Sequence, residues 1–280
     1  MIQGEGRSDH PLSFTPTQEK SPMSKRKAVV GRGEVVDITG GLEDLYARME
    51  GPNQRKRFTL KDLKEISPIE GTRQDEAFHL WNDETKSVIG LLSCPGVGKT
   101  FLATYLALRD LLTPGNGYEK VVFIRSAVAT RDIGFLPGDM EEKIAVFEEP
   151  YIGIFDELFP WKKSYENLKK SGKVEFRSSS FLRGISLHNT IVIVDEVQSM
   201  NFHELDTIVT RLGENSRLLL CGDTKQNDLL YRKNDQSGLG ELLSILKDLP
   251  EFGAVEFGPE DIVRSGFVKA YITKKWEMNL

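Results

Sequence analysis

Four short apolar runs punctuate the chain: SVIGLLS at 87–93, KVVFIRS at 120–126, NTIVIVDE at 189–196 and SRLLLCGD at 216–223. Each is nearly unbroken rather than alternating, the pattern of strands buried on both faces in a parallel sheet covered by helices. Elsewhere apolar positions recur at helical spacing. KTFLATYLALRDLL at 99–112 puts Leu102, Tyr105, Leu106 and Leu112 on one stripe, with the stem of Arg109 among them. QDEAFHLWND at 74–83 reads as helix, and MEEKIAVFEEPYIGIFDELFPW at 140–161 as an acidic amphipathic helix suited to domain or subunit packing. Strands alternating with helices predict an α/β fold built on a doubly wound parallel sheet.

The N-terminal part is different. Residues 1–40 are rich in Ser, Pro, Gly and charge with little periodicity, and read as a flexible arm. GLEDLYARM and TLKDLKEI, within 41–73, predict short helices leading into a main domain over 74–280. Lys25, Arg26 and Lys27 could meet phosphates, though a short basic cluster in a polar tail is ordinarily just solvated.

Composition narrows the function classes. The net charge of −5 gives the whole molecule no attraction for nucleic acid and leaves that role to a local basic patch. No apolar run approaches the roughly 20 residues of a membrane span, and MIQGEGRSDHPLSF lacks the apolar core of a secretory signal. Cys94 and Cys221 are too few for a disulfide framework, and the four histidines do not cluster at metal-ligand spacing. A cytoplasmic protein without a structural metal is the expectation.

SCPGVGKT, residues 93–100, follows the first apolar run and opens the 99–112 helix. Strand, Gly-rich turn and helix form the setting of a phosphate-binding P-loop. Pro95, Gly96, Val97, Gly98, Lys99, Thr100 and Phe101 would wrap the phosphates of ATP, with backbone N–H groups and the helix dipole favouring their charge. Lys99 would neutralise the β- and γ-phosphates, and the Thr100 hydroxyl would ligate Mg²⁺. Ser93 stands where the pattern has its first glycine; either the backbone there is unexceptional or the serine costs about 1 kcal/mol. The plainer alternative is a turn beside a surface lysine.

IVIVDE, at 191–196, ends in Asp195 and Glu196. After a P-loop, Asp195 would hold Mg²⁺ and Glu196 would orient or deprotonate the attacking water; alone, such a pair is equally a helix cap. SRLLLCGD ends in Gly222 and Asp223, with Gln226 just beyond, a residue suited to sensing the γ-phosphate or positioning water.

SCPGVGKTFLA, VVFIRSAV, IGFLPGDMEEKI, PYIGIFDELF, VEFRSSSFLRGISL, TIVIVDEVQSM, TRLGENSRLLLCGDTKQNDL, SGL and DIVRSGFV together resemble the PhoH family of ATPases over roughly residues 74–272. GFLPGD and the DEVQ neighbourhood are the more specific, since generic P-loop chemistry requires neither. Ser93 departs from the family's usual glycine. The resemblance implies a P-loop NTPase core like that of RecA and superfamily-1 helicases, three-layered αβα, using ATP and Mg²⁺. It implies that Gln74 reads the adenine edge, that Arg264 in DIVRSGF contacts the γ-phosphate within the chain or across a subunit boundary, and that Gln198 links the acids to a nucleic-acid side. It further implies a ring, expected as a hexamer, and a connection with RNA unwinding or cleavage.

Single-stranded RNA or another nucleic acid would meet Arg125 and Arg131, which flank Ser126 and Thr130, and Arg177 and Arg183, interleaved with Phe176 and Phe181. Core phenylalanines flanked by solvent-facing arginines explain the second set as well. Four functions stay open: an ATP-driven RNA remodeller, a nucleotide switch acting on protein partners, an RNA-cleaving ribonuclease, and a nucleotide-binding subunit with negligible turnover. Lys99→Ala is expected to abolish ATP hydrolysis by removing the counter-cation of the transferred phosphoryl group; near-normal phosphate release from that variant would refute the site.

Overall fold

The structure, a computed structural model, describes residues 27–30, 34–37, 58–126, 140–182, 184–224 and 237–278. The chain divides into two compact units, residues 1–57 and 58–280. In the first, β1 (Lys27–Val30) and β2 (Glu34–Asp37) pair antiparallel with Ala28 opposite Val36. This ladder falls inside the stretch read as an arm, because runs of two or three apolar residues are too short to register as a pattern. The helix anticipated over 41–49 lies outside the described residues. The second unit begins at Phe58, whose ring packs edge-on against Phe159 and Trp161. TLKDLKEI contributes only one tight turn, Leu60–Asp62.

Among the described residues, six strands build the second unit: β3 (Val88–Ser93), β4 (Lys120–Arg125), β5 (Val174–Ser178), β6 (Thr190–Asp195), β7 (Arg217–Gly222) and β8 (Phe252–Phe257). They form a wholly parallel sheet in the order β5-β4-β6-β7-β3-β8. Successive side chains of the inner strands point to opposite faces, and both faces are dry. Ile89, Leu91, Phe123, Ile193 and Leu219 share one core with α1 (Arg73–Asn82), α2 (Lys99–Leu112), α3 (Met140–Leu158) and α4 (Ser164–Lys170). Val122, Ile124, Val192, Val194, Leu218 and Leu220 share the other with α5 (Phe202–Val209) and α6 (Leu239–Leu246). The result is the expected doubly wound α/β architecture in three layers. The sheet's edge strands escape the pattern because VEFRS and FGAVEF are only partly buried. The final helix, α7 (Gly266–Glu277), buries no residue.

Helix starts follow local chemistry. The Thr72 hydroxyl accepts from the Asp75 N–H at α1, and Asn201 and Glu204 cap α5 reciprocally, at 3.0 and 3.1 Å. Arg217, at the start of β7, lays its guanidinium 3.9 Å from the centre of the Trp81 ring, fastening α1 to the sheet. Among the described residues no helix is long and apolar enough to cross a membrane.

Parallel strands bring their carboxyl ends to one edge, so Ser93, Arg125, Asp195 and Gly222 finish on the same side, where open α/β sheets bind ligands. Gly222 is needed there for want of space: a Cβ would stand 2.2 Å from Val197 Cγ2 and 3.0 Å from Gln198 Oε1. Val197 is fully buried and stiff at χ1, so it cannot swing aside. Gly222→Ala is therefore expected to cost about 1–3 kcal/mol in urea unfolding by forcing the turn after β6 off the sheet; a wild-type midpoint would contradict this.

Candidate nucleotide site

β3 hands the chain to α2 through Ser93, Cys94, Pro95, Gly96, Val97 and Gly98. Gly96 and Gly98 take φ of 88° and 84°, the left-handed region that side chains resist. Gly98 is the N-cap of the 14-residue α2 and offers no side-chain cap, so the N–H groups of the first turn are left to a ligand. Ser93 is not among the left-handed positions, so the serine carries no backbone penalty. Its hydroxyl accepts from Lys99 Nζ at 3.0 Å, and the Cys94 carbonyl accepts from the same amine at 3.0 Å. Cys94 itself is fully buried and, chiefly by that burial, its thiol is raised above the ordinary value, which keeps it an inert protonated side chain.

Thr100 is the second residue of α2. Its Oγ1 donates to Asp195 Oδ1 at 2.8 Å, so the phosphate loop reaches the tip of β6 across the intervening β7. Asp195 is 5% exposed, and its second oxygen accepts from the Tyr151 hydroxyl at 3.1 Å. Glu196 follows in the left-handed region, φ 54° and ψ 47°, a conformation that costs a non-glycine residue roughly 1–2 kcal/mol. Gln198 holds it there: Nε2 donates to Glu196 Oε2 at 2.5 Å, while Oε1 accepts from the Asp223 N–H at 3.0 Å. One amide thus joins the tips of β6 and β7. Asp223, at the end of β7, is buried.

Arg125 ends β4 and turns toward the acids. Its Nε lies 4.0 Å from Asp195 Oδ2 and its Nη2 4.0 Å from Glu196 Oε1. The sequence suggested this arginine for nucleic acid; the structure places it beside Asp195 and Glu196. Arg177 pairs with Glu175 two positions earlier on the same face of β5, and Lys120 Nζ holds that same carboxylate at 2.8 Å. The Ser126 hydroxyl is buried 3.4 Å from Glu204, and Phe176 packs on Tyr151 at 5.9 Å. Among the described residues of that set, Phe181 is the exposed one, at 52%. Gln226, Arg131 and Arg183 lie outside the described residues.

The loop's flank comes from far along the chain. The Val263 N–H donates to the Gly96 carbonyl at 3.1 Å, and a Cβ on Gly96 would meet Arg264 Cγ at 3.1 Å. Arg264 therefore lies against the phosphate loop of its own chain. The preceding turn, Pro259–Asp261, forms with the start of α1 a cavity of about 680 Å³ lined by Gly71, Thr72, Arg73, Asp75, Glu76, His79, Glu260 and Asp261. Gln74 is half-buried in α1, flanked by two of these lining residues but not itself among them.

The donor set fits magnesium. Thr100 and Asp195 converge two hard oxygens beside a helix N-terminus able to hold phosphate. Sequence reasoning missed Tyr151 and the hydroxyl of Ser93. The spacing of Tyr151, Phe155 and Leu158 marks a buried helical stripe, but nothing in it signals that the phenol reaches an acid on another element.

A Gly-rich loop between strand and helix, with its threonine tied to an acidic pair two strands away, defines an α/β P-loop NTPase. A family model described as PhoH-like protein matches residues 66–275, and the chain belongs to the PhoH family. It is 37% identical over 180 residues to a PhoH-like protein of Synechocystis sp., covering 63% of this chain and 53% of that one. It is 34% identical over 189 residues to protein PhoH2 of Bacillus subtilis, covering 66% and 42%. It is 32% identical over 207 residues to protein PhoH of Escherichia coli, covering 73% and 57%. The chain thus spans about half the length of these curated relatives. The solved ORC2 protein of Aeropyrum pernix in its ADP form aligns over 79% of this chain and 55% of that one, at 14% identity and a TM-score of 0.31, too slight a likeness to bear on fold or site.

Burial first, and then the neighbouring Asp195 charge, raise the Glu196 carboxyl above its ordinary range, against the opposing pull of Gln198 and Arg125. A carboxyl raised by folding weakens the fold where it must ionise and has no effect where it is protonated in both states. Glu196→Gln is accordingly expected to stabilise the ligand-free protein near about pH 7, with the gain vanishing by about pH 4, below the unperturbed glutamate value. Thermal melts of both proteins at the two pH values check this; a variant no more stable at neutral pH contradicts it.

Proposed function

We propose that this chain binds ATP together with Mg²⁺ and hydrolyses it, coupling turnover to single-stranded RNA or another nucleic acid. The observation carrying the hydrolytic part is the Thr100–Asp195 hydrogen bond with Glu196 beside it, which gathers phosphate loop, metal donors and a general base at one point. The glycine loop and the start of α2 receive the phosphates, Lys99 exchanges Ser93 and Cys94 for phosphate oxygens, and Arg264 adds charge from the loop's flank. Bound Mg²⁺, held by Thr100 and Asp195, supplies charge neutralisation. Glu196, steadied by Gln198, accepts the proton of the attacking water, and its raised carboxyl suits a base working near neutral pH. Gln74 and the cavity at the start of α1 accommodate the base and sugar.

The nucleic-acid part rests on family membership and on exposed Phe181 at the carboxyl side of β5. A second reading, a nucleotide-dependent switch acting on protein partners, gains from Arg125 and Arg177 being engaged with carboxylates of the same chain. Assembly into a ring, expected as a hexamer, belongs to the first reading and would give Arg264 a subunit boundary to serve. Steady-state ATP turnover with and without single-stranded RNA, alongside sedimentation, decides. The proposal expects magnesium-dependent turnover raised several-fold by RNA in a ring-sized particle. An unchanged rate with every nucleic acid would favour the switch, and tight binding without turnover would overturn hydrolysis altogether.

A further inference from the structure

Asp195 is clamped from an element that contains neither the phosphate loop nor the acidic strand. Tyr151 sits on α3, fully buried, and touches side chains of β4, β5 and β6. Its ring lies 4.4 Å from that of Phe123 on β4 and 5.9 Å from that of Phe176 on β5. Phe155, one turn on, backs Phe123 at 6.2 Å. With its ring so seated, the phenol has one direction to point, and there it meets Asp195 Oδ2.

The two oxygens of Asp195 are thereby given different work. Oδ1 faces the Thr100 hydroxyl, the other hard donor of the nucleotide site, while Oδ2 faces Tyr151. A carboxylate on a single χ2 axis swaps its oxygens by a half turn, and the torsion is soft. A hydroxyl that engages one oxygen fixes the plane and leaves the other directed at the metal, the usual task of groups standing behind a metal ligand. We propose that Tyr151 is a positioning residue for magnesium, fixing Asp195 so that Oδ1 is presented beside Thr100. This rests on the ATP–Mg²⁺ reading above and adds α3 to the elements that set the affinity for metal.

The test is a magnesium titration of the binding of a fluorescent, non-hydrolysable ATP analogue to the full chain, repeated in EDTA. Tyr151→Phe keeps the ring and its seat but removes the hydroxyl. It is expected to raise the magnesium midpoint about tenfold, leaving analogue affinity in EDTA and the thermal midpoint near wild type. Phe155→Leu loosens the same helix without touching the hydroxyl and is expected to leave the magnesium midpoint unchanged. An unshifted midpoint in Tyr151→Phe overturns the proposal, as does equal weakening with and without metal. A tenfold rise in Phe155→Leu also overturns it, because loosening alone would then move the site. A wild-type chain whose analogue binding ignores magnesium brings down the ATP–Mg²⁺ reading itself, an outcome distinct from the failure of Tyr151 alone.

Discussion

The 2.8 Å hydrogen bond between Thr100 and Asp195 is the contact around which this molecule is arranged. It joins residues 95 positions apart and requires that β3 and β6 end level with each other although β7 lies between them. The register provides this: Leu92 stands opposite Gly222, and Cys221 opposite Asp195. A slip of one position in either ladder would carry Asp195 to the other face of the sheet. The dry cores on both faces hold the register, so the precision of the site is inherited from packing several residues away.

Around that contact the charges are balanced by neighbours rather than by solvent. Asp195 and Glu196 adjoin at a strand tip, where desolvation and the neighbouring Asp195 charge raise the Glu196 carboxyl. Arg125 faces them, Lys99 is held near by Ser93 and Cys94, and Gln198 fixes the second acid through a hydrogen bond. Glu196 also sits in a left-handed backbone conformation. Strain and like charge at one residue are tolerable because Val197, Gln198 and the Gly222 backbone behind it leave the turn no alternative path.

How much of this was legible in the sequence depends on the kind of constraint. The inner strands were readable because burial on both faces leaves no polar position to break the run. The phosphate loop and the acidic pair were readable because their chemistry restricts residue type at fixed spacing. Edge strands β5 and β8 were not, since half-exposed strands tolerate charge. The surroundings of Arg125 were not, because spacing along the chain does not say which groups a strand end meets; here they are Asp195 and Glu196, at and just past the end of β6. Tyr151 was invisible for the same reason: its apolar ring accounts for its position in the helical stripe, and only the sheet shows where its hydroxyl ends.

The strand order carries a consequence for biosynthesis. β3 emerges early but lies between β7 and β8, with Val88 paired to both Leu218 and Phe252. Until those late strands leave the ribosome, the first core strand has neither neighbour, and the turn that follows it lacks the Val263 amide that braces Gly96. Contacts so distant in sequence form slowly, so a partly translated chain lacks both neighbours of its first core strand and the brace on its Gly-rich turn.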